Sequence, residues 1–235
     1  TTDANGPQTS WDIVQSGTSS AICNGSGYAS ISTIFADCCL PNGCYDLRVF
    51  DSFGDCINPG GFVLRDAAGK RIIDNTGNGS AFTSSSMSPL GFCVPLGNDA
   101  LQATSCDVLT ATSATVLQAA PNAAVTALYS PGTPTANANT GYQFWVLNPH
   151  GGFSRRILLT HAAPGTGWPA GTTAALKATY FKLSSMSSAP VIPQGVLLNV
   201  RVRSRLNGVY GEFGPAYRLL LPVPPCMTTQ LTVTA

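Results

Sequence analysis

The amino-acid sequence predicts an all-β protein made of two tandem β-sandwich domains, residues 1–106 and 107–235. Helical periodicity is almost absent, whereas short alternating apolar and polar runs, bounded by Gly, Pro, Asn and Ser, recur along the chain. Seven of the eight cysteines lie in residues 1–106, and the net charge changes there from −5 to +6 for residues 107–235. Each predicted unit is long enough to bury a core.

The first unit contains three runs that predict a meander of strands. Residues 44–50 alternate cleanly and end at a turn formed by residues 51–55. Residues 61–66 and 71–74 follow as two further strands, joined by a hairpin loop at residues 67–70.

The second unit is predicted to begin with an edge strand within residues 108–117, a mixture of Thr, Ser and Val. Residues 131–140 are expected to form a loop. Residues 142–147 and 153–160 flank the sequence Asn148-Pro149-His150-Gly151-Gly152, which is typical of a hairpin.

Residues 198–205 form the clearest predicted strand, and the Asn207-Gly208 pair after it is typical of a type I′ turn. Because strand side chains alternate, Val200 and Val202 should face the core. We expect the alternate positions to form a basic stripe facing outward, at Arg201, Arg203 and Arg205. The stripe is predicted to pair with an acidic protein surface, such as the first unit supplies, or to form a solvated edge face.

The cysteines favour disulfides over zinc, because their number is even, the composition is rich in turns and no CxxC repeat occurs. Disulfides persist in oxidising compartments, so we expect an extracellular or cell-surface protein. Cys106 is predicted to bond Cys226. The remaining six are then predicted to pair among themselves, with 15 possible connectivities: Cys23, Cys38, Cys39, Cys44, Cys56 and Cys93.

A calcium site is one interpretation of Asp51 and Asp55, which bracket a tight turn and supply the oxygen ligands that Ca²⁺ prefers. The alternative is that aspartate suits turns because its side chain bonds the backbone two residues on. No other cofactor is predicted.

Catalytic patterns are scarce in this sequence. The only histidines are His150 and His161, the only glutamate is Glu212, and no nucleophile elbow, zinc-protease motif or phosphate loop occurs. Nucleic acid is not an expected partner, because no aromatics interleave with the arginine stripe in the sequence and the net charge is only +1. No run of 18 apolar residues predicts a membrane span, and no signal peptide is evident, so we expect a processed form.

Several segments make the chain resemble secreted modular proteins of Bacteroidetes-type bacteria. The segments Thr9-Ser10-Trp11-Asp12-Ile13, Asp51-Ser52-Phe53-Gly54-Asp55 and Gly91-Phe92-Cys93-Val94-Pro95 resemble a CUB-like module. Val200-Arg201-Val202-Arg203 and Gly211-Glu212-Phe213-Gly214-Pro215 resemble a fibronectin type III-like module. The resemblance implies two β-sandwiches and export by the type IX pathway; it implies no particular activity.

The sequence therefore predicts a non-enzymatic extracellular structural protein that assembles head to tail into a fibre, tube or sheath. Low charge content, 10%, leaves the surface poorly protected against association. The expected contacts are the arginine stripe and a Thr- and Val-rich segment at residues 228–235, through Thr228, Leu231 and Val233. The alternatives are an adhesin or carbohydrate-binding module that attaches to polysaccharide, and a non-catalytic fragment of a secreted hydrolase.

Overall fold

The computed structural model describes residues 1–76, 85–87 and 91–223, with the backbone alone for residues 85–87. Strands dominate in these residues, and the only two α-helices among them are short: α1 (Ala123–Ala127) and α2 (Pro134–Ala138). The named strands pair antiparallel in several sheets. The predicted all-β class is confirmed.

Seven strands come from the first part of the chain: β1 (Thr9–Gln15), β2 (Ala21–Gly25), β3 (Gly43–Asp51), β4 (Val63–Arg65), β5 (Arg71–Asp74), β6 (Ser85–Met87) and β7 (Phe92–Val94). The main sheet has the order β2-β1-β3-β6, with β7 also paired to β3, and β4 and β5 form a separate pair. β3 shows why this sequence forms a strand: Tyr45, Leu47 and Val49 are buried, while Asp46 and Arg48 alternate with them on the other face.

The predicted three-stranded meander is wrong in one respect. β4 and β5 pair with each other as expected, but neither pairs with β3. Both sides of β3 are already occupied, by β1 on one side and by β6 and β7 on the other. After β3 the chain buries Ile57, and the β4–β5 pair contributes Ile72 and Ile73 to the same apolar cluster as Leu47.

Seven strands follow in the second part: β8 (Val116–Gln118), β9 (Gly141–Leu147), β10 (Ser154–Thr160), β11 (Tyr180–Lys182), β12 (Leu197–Leu206), β13 (Val209–Tyr210) and β14 (Tyr217–Leu220). The larger sheet has the order β10-β9-β12-β13, with β14 also on β12, and β8 pairs with β11. The predicted β9–β10 hairpin is confirmed. The turn after β12 is also confirmed, because Asn207 and Gly208 both have positive φ, 48° and 89°, as a type I′ turn requires.

Residues 108–117 do not form the single edge strand predicted for them. Only Val116 and Leu117 of that range belong to a strand, β8, while Val108 makes an isolated parallel bridge to Leu219. The residues between them turn, because the Thr115 side chain accepts a hydrogen bond from the Thr112 backbone N–H. The predicted loop at 131–140 contains α2.

The prediction that Val200 and Val202 face the core is confirmed. They belong to one buried cluster with Tyr142, Phe144, Val146, Leu159 and Leu198, and Ile157 packs against it half-buried. Leu101 and Cys106 also contribute to this cluster, so residues 97–106 pack mainly with the second set of strands. A second cluster, centred on Ile13, Leu47 and Phe92, fills the first part.

Hydrogen bonds and ion pairs join the two sets of strands. The Asn199 side chain accepts from the Asp74 backbone N–H at 2.8 Å and donates to the Asp74 carbonyl at 2.6 Å, both in buried positions. Arg71 donates to the Asp107 carboxylate at 2.7 Å, and the Ala216 N–H donates to the Arg71 carbonyl. Arg218 lies 3.5 Å from the Asp74 carboxylate. The arginines hold the pKa of Asp107 below its usual range against the opposing effect of burial.

No helix in residues 1–76 or 91–223 is both long enough and apolar enough to cross a membrane.

Candidate assembly interface

The arginine stripe lies on the outer face of the β10-β9-β12 sheet, as the alternation of β12 requires. Val200 and Val202 point into the core and are at most 1% exposed. The opposite face is not open to solvent, because the chain returns over it after the β12–β13 turn. Phe213 from this return packs on Trp145 and Leu147 in a small apolar cluster outside the main core.

Arg201 is buried, so the prediction that it faces solvent is wrong. Its side chain is 4% exposed. Its Nε donates to the Gly214 carbonyl at 2.8 Å, and one of its terminal nitrogens donates to the Phe213 carbonyl at 3.0 Å. Burial lowers the pKa of Arg201 to about 10, and the guanidinium therefore remains charged at neutral pH. Backbone carbonyls and aromatic rings replace water around this cation.

The remaining arginines alternate with aromatic rings across the sheet. The Arg203 guanidinium lies 4.2 Å from the Tyr210 ring centroid and 4.4 Å from that of Phe213. Arg156, from the neighbouring β10, lies 4.8 Å from the Trp145 centroid. Arg205 lies 5.2 Å from the Tyr210 centroid. We call this surface the arginine–aromatic face; it consists of Arg156, Arg201, Arg203, Arg205, Trp145, Tyr210 and Phe213.

The positive charge of this face is not neutralised within the described part of the chain. None of its four arginines lies within ion-pair distance of a carboxylate described there. The nearby Glu212 attracts Arg201 and Arg203 over a longer distance, and Arg156 repels both. Burial lowers the pKa of Arg156 and of Arg203. An unneutralised cation cluster of this kind favours a partner with negative charge.

Sequence reasoning missed Arg156, Trp145, Tyr210 and Phe213 as members of this face. Strand pairing places Trp145 directly opposite both Arg156 and Arg201, on the two neighbouring strands. The sequence of β9 could have indicated this position of Trp145. The residue shares the outer face of the strand with Gln143, because both alternate with Phe144 and Val146. Aromatic rings therefore do lie between the arginines, so one of the two reasons for excluding nucleic acid is wrong; the overall charge of +1 remains.

Most aspartates of the first part are already used inside the molecule. Asp12 binds Arg48 at 2.6 Å, and Asp74 pairs with Arg71 and Arg218. Backbone N–H groups donate to the carboxylates of four others: Asp3, Asp51, Asp66 and Asp99. The net charge of −5 therefore overstates the acidity available to a partner.

Two exposed carboxylates, Asp37 and Asp55, have no hydrogen-bond or ion-pair partner among the described residues. Each follows an exposed phenylalanine by two positions in the sequence: Phe35, which is 91% exposed, and Phe53, which is 76% exposed. Ile31, in the same loop as Phe35, is 78% exposed.

Both loops border the N-terminal segment. The Ile31 N–H donates to the Asp3 carbonyl, and the Ser52 N–H donates to the Gln8 carbonyl. We use the name apolar–acidic patch for the exposed residues of these two loops: Ile31, Phe35, Asp37, Phe53 and Asp55. Exposed aromatic side chains that lie two positions in sequence from carboxylates without a described partner have the opposite signature to the arginine–aromatic face.

The predicted calcium site is occupied by backbone hydrogen bonds instead. The Asp51 side chain is 2% exposed, and its two oxygens accept the N–H groups of Phe53, at 3.2 Å, and Cys56, at 2.7 Å. Asp55 points to solvent and does not join it. Within the described ranges no three His, Cys, Asp or Glu side chains are close enough to share a metal ion. This geometry favours the turn-forming role of Asp51.

Two disulfides form in the first part, Cys23–Cys38 and Cys44–Cys93. Cys39 is exposed and Cys56 half-buried, and neither is bonded to a described cysteine, so the expected third pair is not formed. Cys106 is also unbonded within the described residues, and its predicted partner Cys226 lies outside them. Disulfides of this kind fit a secreted or extracellular protein.

The remaining residues considered in the sequence are the two histidines and three residues of the segment 228–235. His161 is 7% exposed and packs edge-on against Tyr129, and His150 packs edge-on against Phe62 across the two sets of strands. Thr228, Leu231 and Val233 lie outside the described residues.

Comparison with known proteins adds no relative to these observations. A scan against protein-family models and a search of curated proteins both end without a match to this chain.

Proposed function

We propose that this chain is a non-enzymatic extracellular structural subunit that assembles head to tail into a surface polymer. The observation that carries the proposal is the complementarity of two surfaces of one chain. The arginine–aromatic face carries four arginines without carboxylate partners in the described residues. The apolar–acidic patch offers exposed rings and two carboxylates for which the described residues supply no partner.

Two different complementary surfaces on one subunit produce a heterologous contact. Such a contact leaves one free face of each kind at every stage, so it propagates as a filament unless the rotation closes a ring. Guanidinium groups can stack on Phe35 and Phe53 and pair with Asp37 and Asp55, since both interactions suit arginine. The first set of strands would thus be the acidic partner of the second set, in a neighbouring copy.

The free energies of the individual interactions show that this contact alone gives weak association. Fully burying Ile31, Phe35 and Phe53 contributes roughly 5 to 9 kcal/mol at about 1.5 to 3 kcal/mol each. Exposed ion pairs add about 0 to 1 kcal/mol each. Association costs about 4 to 15 kcal/mol in lost freedom of motion. A stable polymer therefore needs a second contact, for which the segment 228–235 is the candidate.

The division of the chain into two domains is also part of this proposal. We infer two β-sandwich domains, CUB-like and fibronectin type III-like, as in the secreted modular proteins that the sequence resembles. Two separate apolar clusters and two disulfides support this interpretation. Modules of this type serve structural, adhesive and enzymatic proteins alike, so the resemblance does not by itself favour a polymer.

The test is particle growth in light scattering and negative-stain microscopy as the concentration of purified chain rises. Changing Arg156, Arg203 and Arg205 to Ser should slow or abolish growth, and so should Phe35→Ser with Phe53→Ser. A matched control removes the same charge elsewhere, through Ser at Arg65, Lys70 and Lys182. Wild-type chain that stays monomeric at high concentration and low salt would overturn the proposal.

Mixing variants tests the head-to-tail geometry. A copy without the three arginines retains its apolar–acidic patch, so it should add to one end of a wild-type particle and stop growth there. Particles should shorten as its fraction rises, whereas a copy without either surface should have no effect. Equal behaviour of the two variants would contradict a heterologous contact.

Binding of an anionic polysaccharide is a second candidate, favoured by the exposed edge of the arginine–aromatic face. Tyr210 is 38% exposed beside Arg203 and Arg205, an arrangement that can stack a sugar ring and pair its carboxylate or sulfate group. Binding of monomeric protein to acidic glycans on an array, lost in Tyr210→Ser, would favour an adhesin.

A further inference from the structure

An apolar groove opens on the second set of strands, away from the residues of the arginine–aromatic face. Its volume is about 510 Å³. Its apolar lining comes from core residues and from the segments beside them: Ala111, Leu183, Met186, Val191, Ile192 and Leu221. Its remaining lining consists of Ser, Thr, Gln, Pro and Val, and no charged side chain contributes.

The floor of the groove is continuous with the main core. Leu183 and Met186 are at most 1% exposed and belong to the buried cluster, while Val191 at the rim is 60% exposed. The groove is thus a place where core side chains come close to the surface between two chain segments.

One wall of the groove is a turn held to β14. The Leu220 N–H donates to the Val108 carbonyl, and the Ala111 N–H donates to the Leu220 carbonyl. The exposed Thr110 lies in the turn between these contacts and has no backbone partner among the described residues. The turn thus fixes one side of the groove against the sheet.

The residues that follow Val223 in the sequence have the apolar pattern and the lack of charged side chains expected of a segment that binds in the groove. Val223 forms part of the lining, and residues 224–235 continue from it. In residues 228–235, Leu231, Val233 and Ala235 alternate with Gln230, Thr232 and Thr234, so an extended strand would present one apolar face. The segment contains no charged side chain, and no charged side chain lines the groove.

A neighbouring copy is a better donor of this segment than the same chain. Pro222, Pro224 and Pro225 flank Val223, and proline fixes φ and keeps the preceding residue extended. Only four residues, 224–227, separate Val223 in the groove lining from this segment, and two of them are proline, so the same chain has little length for a reversal into its own groove. Eight extended residues span roughly 26 Å, which is enough to reach into an adjacent subunit.

We propose that the groove receives residues 228–235 of a neighbouring copy, with Leu231 and Val233 on its apolar floor. The inference rests on the proposed function, because it supplies the second contact of the polymer. Docking of this kind removes the apolar side chains of the donor and the apolar lining of the groove from water.

The test uses the full chain with a photo-crosslinking amino acid at position 233. This chain is mixed with an equal amount of ¹⁵N-labelled wild-type chain, and the crosslinked peptides are mapped by mass spectrometry. We expect crosslinks between unlabelled and labelled copies at Val191 or Ile192. Crosslinks within one copy, or at sites outside the groove, would overturn the inference.

Variants provide an independent measurement. Val191→Asp together with Leu231→Asp should prevent particle growth, whereas Ile22→Asp, at a residue 46% exposed outside the groove and outside both surfaces of the first contact, should leave it unchanged. A synthetic peptide of residues 228–235 in excess should inhibit growth of wild-type particles, and the same peptide with Asp at both apolar positions should not.

The outcomes separate this inference from the proposed function. Particles that grow normally in the presence of the peptide and with Val191→Asp would refute the groove as acceptor and leave the polymer intact. A wild-type chain that forms no particles would refute the polymer and, with it, this inference.

Discussion

At the scale of single residues, Arg201 shows what a strand pattern can and cannot predict. Period-two alternation correctly separates the face of Val200 and Val202 from the face of Arg201 and Arg203. Exposure is a different property, because it depends on residues 211–216, which return over the outer face after a turn. Nothing in the local pattern of β12 indicates that Phe213 will cover Arg201 and leave Arg203 at the rim.

Replacing Arg201 should therefore destabilise the protein far more than replacing Arg203. Arg201→Ala leaves the Phe213 and Gly214 carbonyls without donors and opens space beside Trp145, which should lower the free energy of unfolding by about 2 kcal/mol or more. Arg203→Ser should cost less than about 1 kcal/mol. Urea denaturation measures both, and equal losses would contradict the burial of Arg201.

His161 should make stability depend on pH. Burial lowers its pKa below the ordinary value of about 6.5, so the unfolded chain binds a proton more readily than the folded chain. The stabilisation is complete above pH about 6.5 and is lost as the pH falls toward the lower folded-state pKa.

His161→Gln should reduce this dependence. The measurement is the free energy of unfolding by urea at a series of pH values between about 7 and 5. A wild-type slope that is unchanged in His161→Gln would show that other groups cause it.

At the scale of elements, strands with a clear alternation and a clear turn could be predicted from the sequence. β3, β9, β10 and β12 are of this kind, since each carries its own burial pattern and is bounded by turn residues. Their neighbours in the sheets could not be predicted to the same extent. β1 and β7 pair with β3 although they lie far apart in sequence, and such pairing depends on the whole core.

Loop length should order the two disulfides by their effect on stability. The Cys44–Cys93 bond closes 49 residues and joins β3 to β7, whereas Cys23–Cys38 closes 15. Ser at both positions should cost about 4 kcal/mol for the first pair and about 3 kcal/mol for the second in the chain-entropy account. Unfolding in guanidinium chloride without reductant measures this, and a larger loss for the Cys23–Cys38 pair would contradict it.

At the scale of the whole molecule, net charge counted from sequence is a poor guide to surfaces. The division into −5 and +6 suggested a strongly dipolar subunit, yet several of its charges face one another inside the chain, as Arg71, Asp74, Asp107 and Arg218 do. The arginine stripe was expected to pair with an acidic surface, but the arginines that pair between the two sets of strands are Arg71 and Arg218, and no stripe arginine has an ion pair with a described carboxylate. The two surfaces of the proposed contact are accordingly small: three arginines at or near the surface on one, and two carboxylates with three exposed apolar side chains on the other.

The contacts between the two sets of strands should make the chain unfold in a single transition. Asn199 contributes a reciprocal pair of buried hydrogen bonds to the Asp74 backbone, and Arg218 adds an ion pair. Asn199→Ala leaves the Asp74 N–H and carbonyl buried without partners, and each unpaired group costs about 1 to 3 kcal/mol. This loss weakens the junction, by which we mean the contacts between the two sets of strands.

Calorimetry should show one transition for the wild-type chain and two for Asn199→Ala, because the junction loses its coupling while each core stays intact. Asn137→Ala is the matched control. Asn137 is also buried and bonds Ser130 twice, but both residues lie in the second part of the chain, Asn137 in α2 and Ser130 in the loop before it. This control should lower the melting temperature without splitting the transition. Two transitions in the wild-type chain would mean that the junction does not couple the cores, and the two halves would then fold as independent units.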